Sequence, residues 1–214
     1  MSNALSILYF AVSLALVETA RRRLSVPADV TRKAFFALAG AWSTPLVFLV
    51  QDPAARAVPF LILAVVTYAS FRLELLAAIE DVGPGLGSVL FPLSCALLLR
   101  FFEPITALCG IAAMALGDTS AALVGRRWGT RKYRVLGHSR TMEGTLTMFL
   151  AASLSMALLL VFLGEVDAHR SVAFALFAGT VAASVEAASP YGSDNLTVPL
   201  SSGATLWLLE RLSQ

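Results

Sequence analysis

The sequence predicts an all-α protein, a polytopic bundle of about eight transmembrane helices with its functional site on the cytoplasmic side. Hydrophobic residues make up 57% of the 214 residues, charged residues only 14%, and the mean hydropathy is +0.77. Soluble domains are less apolar and carry about 25% charged residues. Long apolar runs, with Lys and Arg concentrated in alternate connections between them, also favour a multi-pass membrane protein.

Apolar runs able to cross about 30 Å of hydrocarbon, at about 1.5 Å per helical residue, define the candidate spans. They cover residues 4–20, 34–50, 57–71, 88–99, 105–124, 146–163, 171–185 and 196–209. The third, fourth and last runs are shorter than the roughly 17 residues expected of a span, so seven crossings are the alternative to eight. No Pro-rich linker or low-complexity tract divides the chain, and residues 1–214 are predicted to form a single domain.

Positive charge is distributed unevenly between the two sides of this arrangement. The connections after spans one, three, five and seven hold 12 of the 16 Lys and Arg residues. Because cytoplasmic loops carry the excess of Lys and Arg, we expect eight crossings of the cell (plasma or inner) membrane, with both termini outside the cytoplasm. The net charge of +2 indicates no overall basic character, and no nucleic-acid partner is predicted.

Several acids lie within or next to the apolar runs, all at the predicted cytoplasmic side. Asp118 lies inside span five, Glu143 at the start of span six, and Glu186 at the end of span seven. Asp194 and Asn195 open span eight. An ionised carboxylate in lipid is costly, so such groups usually face a polar cavity or a partner. Helix capping cannot explain an acid within an apolar segment, and Asp118 therefore indicates a functional site.

The longest polar connection, residues 125–144, lies between these acids and contains six Lys and Arg residues. Guanidinium groups suit phosphate oxygens, and clustered carboxylates suit a hard divalent ion such as Mg²⁺. Phosphoryl transfer needs mainly positioning and charge neutralisation, which such a set supplies. The sequence therefore predicts a metal and polyphosphate site at the membrane surface.

Each of these features also has a structural interpretation. The basic connection could enforce topology or bind anionic lipid headgroups. Glu143 could favour the positive end of a helix, and Asp194 could cap the last one. The chain has no GxxxxGK[ST] or GxGxxG motif, which argues against a soluble type of nucleotide-binding fold.

An ordered set of motifs resembles one known family. The set comprises "TRKAFFALAG" at 31–40, "GSVLFPL" at 87–93, "GDTSAALVGRRWG" at 117–129, "GHSRTMEGT" at 137–145 and "DNLTVPL" at 194–200. These segments are similar to those of the integral-membrane CTP-dependent lipid kinases, which include dolichol kinase, phytol kinase and the fungal type of diacylglycerol kinase. The resemblance implies transfer of the terminal phosphate of a nucleoside triphosphate, commonly CTP, to a membrane lipid alcohol with a divalent metal.

The resemblance also assigns family motifs to positions of this chain. They are the GD acid at Asp118, the T-x-E-G stretch and its preceding cation at Arg140, Thr141, Glu143 and Gly144, the DN pair at Asp194 and Asn195, and the RK pair at Arg32 and Lys33. Two positions depart from the family pattern. Phe36 stands where His is common, and Arg140 replaces the more usual Lys, which preserves charge but changes geometry.

Residue chemistry and resemblance together predict a lipid-alcohol kinase that uses CTP and Mg²⁺ on a polyprenol, phytol or diacylglycerol. Asp118, Glu143 and Asp194 are expected to bind the metal or activate the acceptor hydroxyl. The expected nucleotide-binding residues are Arg126, Arg127, Lys132, Arg140, Thr141, Gly144 and Asn195, and the expected supporting residues are Arg32, Lys33 and Glu186. One alternative is a cytidylyltransferase that forms a CDP-lipid, and a more distant one is a membrane transporter in which Asp118 and Glu186 bind a cation or proton.

Overall fold

The structure is a computed structural model that describes residues 2–75, 86–164, 166–190 and 192–213. Its helices and strands fall into two compact units of the chain. The first unit comprises residues up to Phe101 together with 191–196, and the second comprises 102–190 together with the residues from Thr197 onward. The boundary falls inside the last helix, so that one helix contributes to both units.

The first unit contains four helices, α1 (Ser2–Leu24), α2 (Ala28–Leu49), α3 (Pro53–Leu73) and α4 (Gly87–Phe101). Helix α1 packs on α2 and α3, while α4 packs on α3 and α2. Asp52 caps α3 because its carboxylate accepts from the backbone N–H groups of Ala54 and Ala55 at 3.2 and 3.0 Å.

Aromatic side chains form much of the core of this unit. Phe35, Phe60 and Phe91 are fully buried. Phe36 stacks on Phe91 with a centroid distance of 4.5 Å. Phe36, which replaces the His common in the similar family, is therefore a core residue of this chain. Stacked aromatic pairs of this kind contribute about 0.5–1.5 kcal/mol beyond the burial of their area.

The second unit begins with one continuous helical stretch made of α5 (Pro104–Ala112), a π-helical segment (Ala113–Asp118) and α6 (Thr119–Trp128). A hairpin of β1 (Lys132–Val135) and β2 (His138–Thr141) follows. Helices α7 (Met142–Leu163) and α8 (Ala168–Ala188) come next, and α9 (Asp194–Leu212) ends the described chain. Helix α7 contacts α5, the π-helical segment, α6 and α8, and so lies at the centre of the unit.

Every predicted apolar run corresponds to a helix, and the predicted all-α architecture is confirmed with one addition. Residues 132–141 form an antiparallel β-hairpin within the connection that the sequence presented only as a polar loop. Its turn residues Leu136 and Gly137 both have positive φ, at 48° and 85°. A two-residue turn of this kind matches the twist of the flanking strands.

Five of the described helices are long and apolar enough to cross a membrane, namely Asn3–Leu24, Pro53–Leu73, Pro104–Trp128, Met142–Leu163 and Ala168–Ala188. Helix α4 is apolar but shorter, at 15 residues. These helices agree with the predicted multi-pass character of the chain. Seven or eight crossings, and a cytoplasmic position of the site, stay predictions.

Candidate active site

Asp118 is the last residue of the π-helical segment, in the middle of a continuous helix. Such segments are rare and occur often at functional sites, because the wider turn changes the direction of the side chains that follow. Gly117 brings this segment against α7, since a Cβ atom there would lie 2.7 Å from the Sδ atom of Met148 and 3.3 Å from the Cβ atom of Ala152. The position of Asp118 is therefore set by close packing of the helix that carries it.

Glu186 lies in the last turn of α8 and is buried, with 5% of its surface exposed. A carboxylate oxygen of Glu186 lies within 4.8 Å of one of Asp118. Two carboxylates this close repel each other unless a cation or a proton compensates. Mg²⁺ is commonly held in proteins by one or two carboxylates together with substrate phosphates. The two acids of the second unit therefore fit a divalent cation.

Arg140, on β2, is the cation next to this acid pair. Its Nη1 lies 3.2 Å from Oε1 of Glu186, and its Nη2 donates to the backbone carbonyl oxygens of Glu186 and Ser189 at 3.1 and 3.2 Å. The Nε atom of Arg140 is buried and makes no hydrogen bond within the part of the chain that the structure describes. Buried donors without a partner are uncommon in folded proteins.

The register of the hairpin determines which of its residues lie on the same face as Arg140, the cation that contacts Glu186. Tyr133 pairs with Arg140, and Arg134 pairs with Ser139, so the two pairs lie on opposite faces of the hairpin. The Tyr133 hydroxyl hydrogen-bonds to Oγ1 of Thr145 on α7. Lys132 is exposed and shares the outer face with Arg134.

The remaining predicted cations lie at the end of α6. Arg126 and Arg127 are both exposed. Nε of Arg126 donates to the carbonyl oxygen of Ala122 at 3.2 Å, and the guanidinium of Arg127 lies 5.3 Å from the ring centroid of Trp128. Arginine has five N–H donors, so one guanidinium can make several such contacts at once.

Glu143 occupies a different position from that of the acid pair. Its Oε1 accepts from Oγ1 of Thr130 at 2.7 Å and from the backbone N–H of Arg131 at 3.2 Å. The backbone N–H of Met142 donates to the carbonyl oxygen of Arg131 at 2.9 Å. Glu143 thus ties the segment before β1 to the start of α7, and its predicted metal ligation stays a prediction.

Thr141 and Gly144 make close contacts at the junction of α6 and α7. Oγ1 of Thr141 caps α7 by accepting from the backbone N–H of Gly144 at 3.2 Å. A Cβ atom at Gly144 would lie 2.8 Å from that oxygen and 3.6 Å from Cα of Gly125. Gly125 and Gly144 let α6 and α7 approach closely here. The nucleotide contacts expected of Thr141 and Gly144 stay predictions.

The other predicted site residues lie in the first unit. Nδ2 of Asn195 donates to the carbonyl oxygen of Gly87 at 2.8 Å, and Oδ1 of Asp194 accepts from the backbone N–H of Asn195 at 3.1 Å. Arg32 and Lys33 are partly buried in the first turns of α2 and are both engaged in polar or electrostatic interactions. Asn195 thus helps to hold the start of α4, and nucleotide contacts by these residues stay predictions.

The contact between Arg140 and Glu186, and the hairpin that carries Arg140, are not among the features predicted from the sequence. From the sequence, Arg140 is expected to bind the nucleotide and Glu186 to have a supporting role. One signal was available, because an acid in the last turn of a helix opposes the helix dipole and requires a compensating cation.

Comparison with known proteins identifies close relatives of the chain. It is 40% identical to phytol kinase of Synechocystis sp. over 194 residues, which cover 86% of this chain and 82% of that protein. It is 36% identical over 91 residues to the dolichol kinases of Mus musculus and Homo sapiens, an alignment that covers 42% of this chain and 16% of those proteins. No protein-family model and no solved structure matches the chain.

Proposed function

Because the chain belongs to the family of membrane lipid kinases represented by phytol kinase and dolichol kinase, we propose that it transfers the terminal phosphate of CTP to phytol or a related isoprenoid alcohol. Membership of this family makes it a membrane-bound lipid-alcohol kinase. The observation that carries the choice of acceptor is the 40% identity to a phytol kinase over most of both chains. CTP is the donor implied by the motifs at 117–129, 137–145 and 194–200.

Asp118 and Glu186 are the proposed ligands of the divalent metal, since their carboxylate oxygens are within 4.8 Å of each other. Asp194 is the proposed third acid. Asp194 is the first residue of α9. One turn later, Oγ1 of Thr197 lies 2.8 Å from Oγ of Ser189. Ser189 is the C-cap residue of α8, the helix that carries Glu186. When bound, the ion would neutralise phosphate charge and orient the terminal phosphate.

Three exposed cations of the second unit, Arg126, Arg127 and Lys132, are the proposed triphosphate-binding residues. The last turn of α6 contains Arg126 and Arg127, and β1 begins with Lys132. Arginine binds phosphate oxygens through paired N–H donors, while lysine contributes a point charge. Glu143 keeps these segments together through Thr130 and Arg131, and we assign it a positioning role.

The acceptor hydroxyl must lose its proton during the transfer. A carboxylate of the acid group within hydrogen-bond distance of that hydroxyl would accept it, and Asp118 and Asp194 are the candidates. The isoprenoid chain would remain in the bilayer, so that only its hydroxyl enters the polar site. The enrichment of Lys and Arg in alternate connections supports a cytoplasmic position for this site.

The direct test uses purified protein in detergent with γ-labelled CTP, ATP or UTP and with phytol, a polyprenol or diacylglycerol. We expect labelled phytyl phosphate and an equal amount of CDP, with no transfer after chelation of divalent ions. Release of pyrophosphate with formation of a CDP-lipid would instead indicate a cytidylyltransferase. Absence of transfer to every lipid alcohol would refute the proposal.

A further inference from the structure

Glu186 is in an unfavourable place for an isolated acid. Its side chain is 7% exposed, and it lies in the last turn of α8, where the helix dipole is negative. Burial without a partner also penalises the charged form of a carboxylate. An ionised acid here requires a cation, and Arg140 provides it.

Arg140 makes three polar contacts with the same end of α8. Nη1 contacts the Glu186 carboxylate at 3.2 Å, and Nη2 donates to the carbonyl oxygens of Glu186 and Ser189 at 3.1 and 3.2 Å. Arg140 thus bonds to the carbonyl oxygens of Glu186 and of the C-cap residue Ser189, and the Glu186 oxygen also accepts from the backbone N–H of Ser189 at 3.2 Å. One rigid guanidinium therefore fixes both the backbone and the side chain of the acid.

The hairpin fixes Arg140 in turn. Arg140 pairs with Tyr133 across the strands, and the Tyr133 hydroxyl bonds to Thr145 on α7. The ion pair uses Oε1 of Glu186, and a carboxylate has two oxygens, so the contact is compatible with metal ligation by the same group. Outer partners of this kind orient the ligands of metal sites.

We infer that Arg140 is a positioning residue that holds Glu186 in its metal-binding orientation, so that the β-hairpin sets the metal affinity of the site. This inference rests on the proposed metal-binding role of Asp118 and Glu186. It differs from direct triphosphate binding by Arg140, because it predicts that loss of Arg140 changes metal affinity before it changes nucleotide affinity.

The kinetic test compares R140Q with R134Q, which removes a cation from the exposed face of the same hairpin. In R140Q we expect the Mg²⁺ concentration for half-maximal activity to rise about 10–100-fold, with little change in the KM for CTP at saturating Mg²⁺. R134Q should keep the wild-type metal response. A raised KM for CTP with an unchanged metal response would make Arg140 a nucleotide contact and overturn the inference.

A second readout needs neither nucleotide nor lipid. Mn²⁺ should raise the thermal midpoint of the wild type and of R134Q, and it should do so for R140Q only at about 10–100-fold higher concentration. If R140Q does not fold, R140K keeps the charge and carries the test, with an intermediate loss of Mn²⁺ response expected. Equal Mn²⁺ responses in R140K and wild type would then refute the inference. An inactive wild type whose Mn²⁺ binding still depends on Arg140 would contradict only the proposed kinase reaction.

Discussion

At the level of single residues, the acids of this chain differ in the contacts that position their carboxylates. Asp118 lies at the end of a π-helical segment, and Glu186 lies at the end of α8 with Arg140 against its carboxylate. Glu143 accepts hydrogen bonds from Thr130 and Arg131 within its own neighbourhood. Glu143 is therefore held as a local tether, whereas metal binding is the role proposed for Asp118 and Glu186.

This division predicts different effects for conservative substitutions. E143Q should retain most of the kinase activity, because an amide oxygen can still accept from Thr130 and Arg131. D118N should reduce kcat/KM by about 100-fold or more, because an amide is a poor substitute for a metal-binding carboxylate. The measurement is label transfer from γ-labelled CTP, with thermal midpoints to confirm folding. An equal loss in both variants would restore Glu143 as a metal ligand.

At the scale of elements, α7 and α8 pack closely at one point. A Cβ atom at Gly179 would lie 2.0 Å from Oγ and 3.1 Å from Cβ of Ser153. Oγ of Ser153 is buried without a hydrogen-bond partner in the described part of the chain. The close approach of the two helices therefore requires glycine at position 179. The Ser153 hydroxyl adds little to the stability of the contact, because it makes no hydrogen bond.

Two substitutions test this contact. G179A should destabilise the protein by about 1–3 kcal/mol through overpacking. S153A should be neutral or slightly stabilising, because it removes an unpaired buried polar group. The double variant should recover part of the loss, since the nearest clashing atom is then gone. Thermal unfolding of the four proteins checks the cycle, and a double variant as unstable as the sum of the two single ones would exclude this packing.

The sequence predicted the helices well because each apolar run is long and the bilayer demands internal hydrogen bonding. The hairpin was not predicted, although Lys132 to Val135 alternate between exposed and partly buried positions. Its turn places Leu136 at positive φ, whereas sequence signals for such turns rest on Asn, Asp or Gly. The π-helical segment has no local sequence signal and arises in contact with α7 and α8.

The sequence likewise predicts only those parts of the candidate site that have a local signal. Asp118 could be recognised because an acid inside an apolar run has no local explanation. The pairing of Glu186 with Arg140 joins residues 46 positions apart through a hairpin absent from the prediction. Long-range contacts of this type follow from tertiary packing, and sequence spacing does not reveal them.

At the scale of the whole molecule, the distribution of charge along the chain predicts its orientation. The hairpin connection is expected inside the cell, and the connection between α2 and α3 outside. The free cysteines Cys95 and Cys109 are both fully buried, which leaves little background for thiol labelling.

Single added cysteines test this orientation. An impermeant thiol reagent applied to intact cells should label Q51C but not S139C, both of which are exposed positions. Inverted membrane vesicles should give the opposite result, and the unsubstituted protein should stay unlabelled in both. Labelling of both variants from the same side would contradict the assignment of these connections to opposite faces.

Asp118 and Glu186 are proposed to bind the divalent ion required for phosphate transfer. Titration of the nucleotide-free protein with Mn²⁺, followed by the electron paramagnetic resonance signal of the free ion, tests this proposal most directly. The control is D167N, because Asp167 caps α8 through the backbone N–H of Arg170, a role that Asn can also fill. We predict at least about tenfold weaker Mn²⁺ binding in D118N and in E186Q, and wild-type binding in D167N. Wild-type Mn²⁺ affinity in both D118N and E186Q would contradict the account.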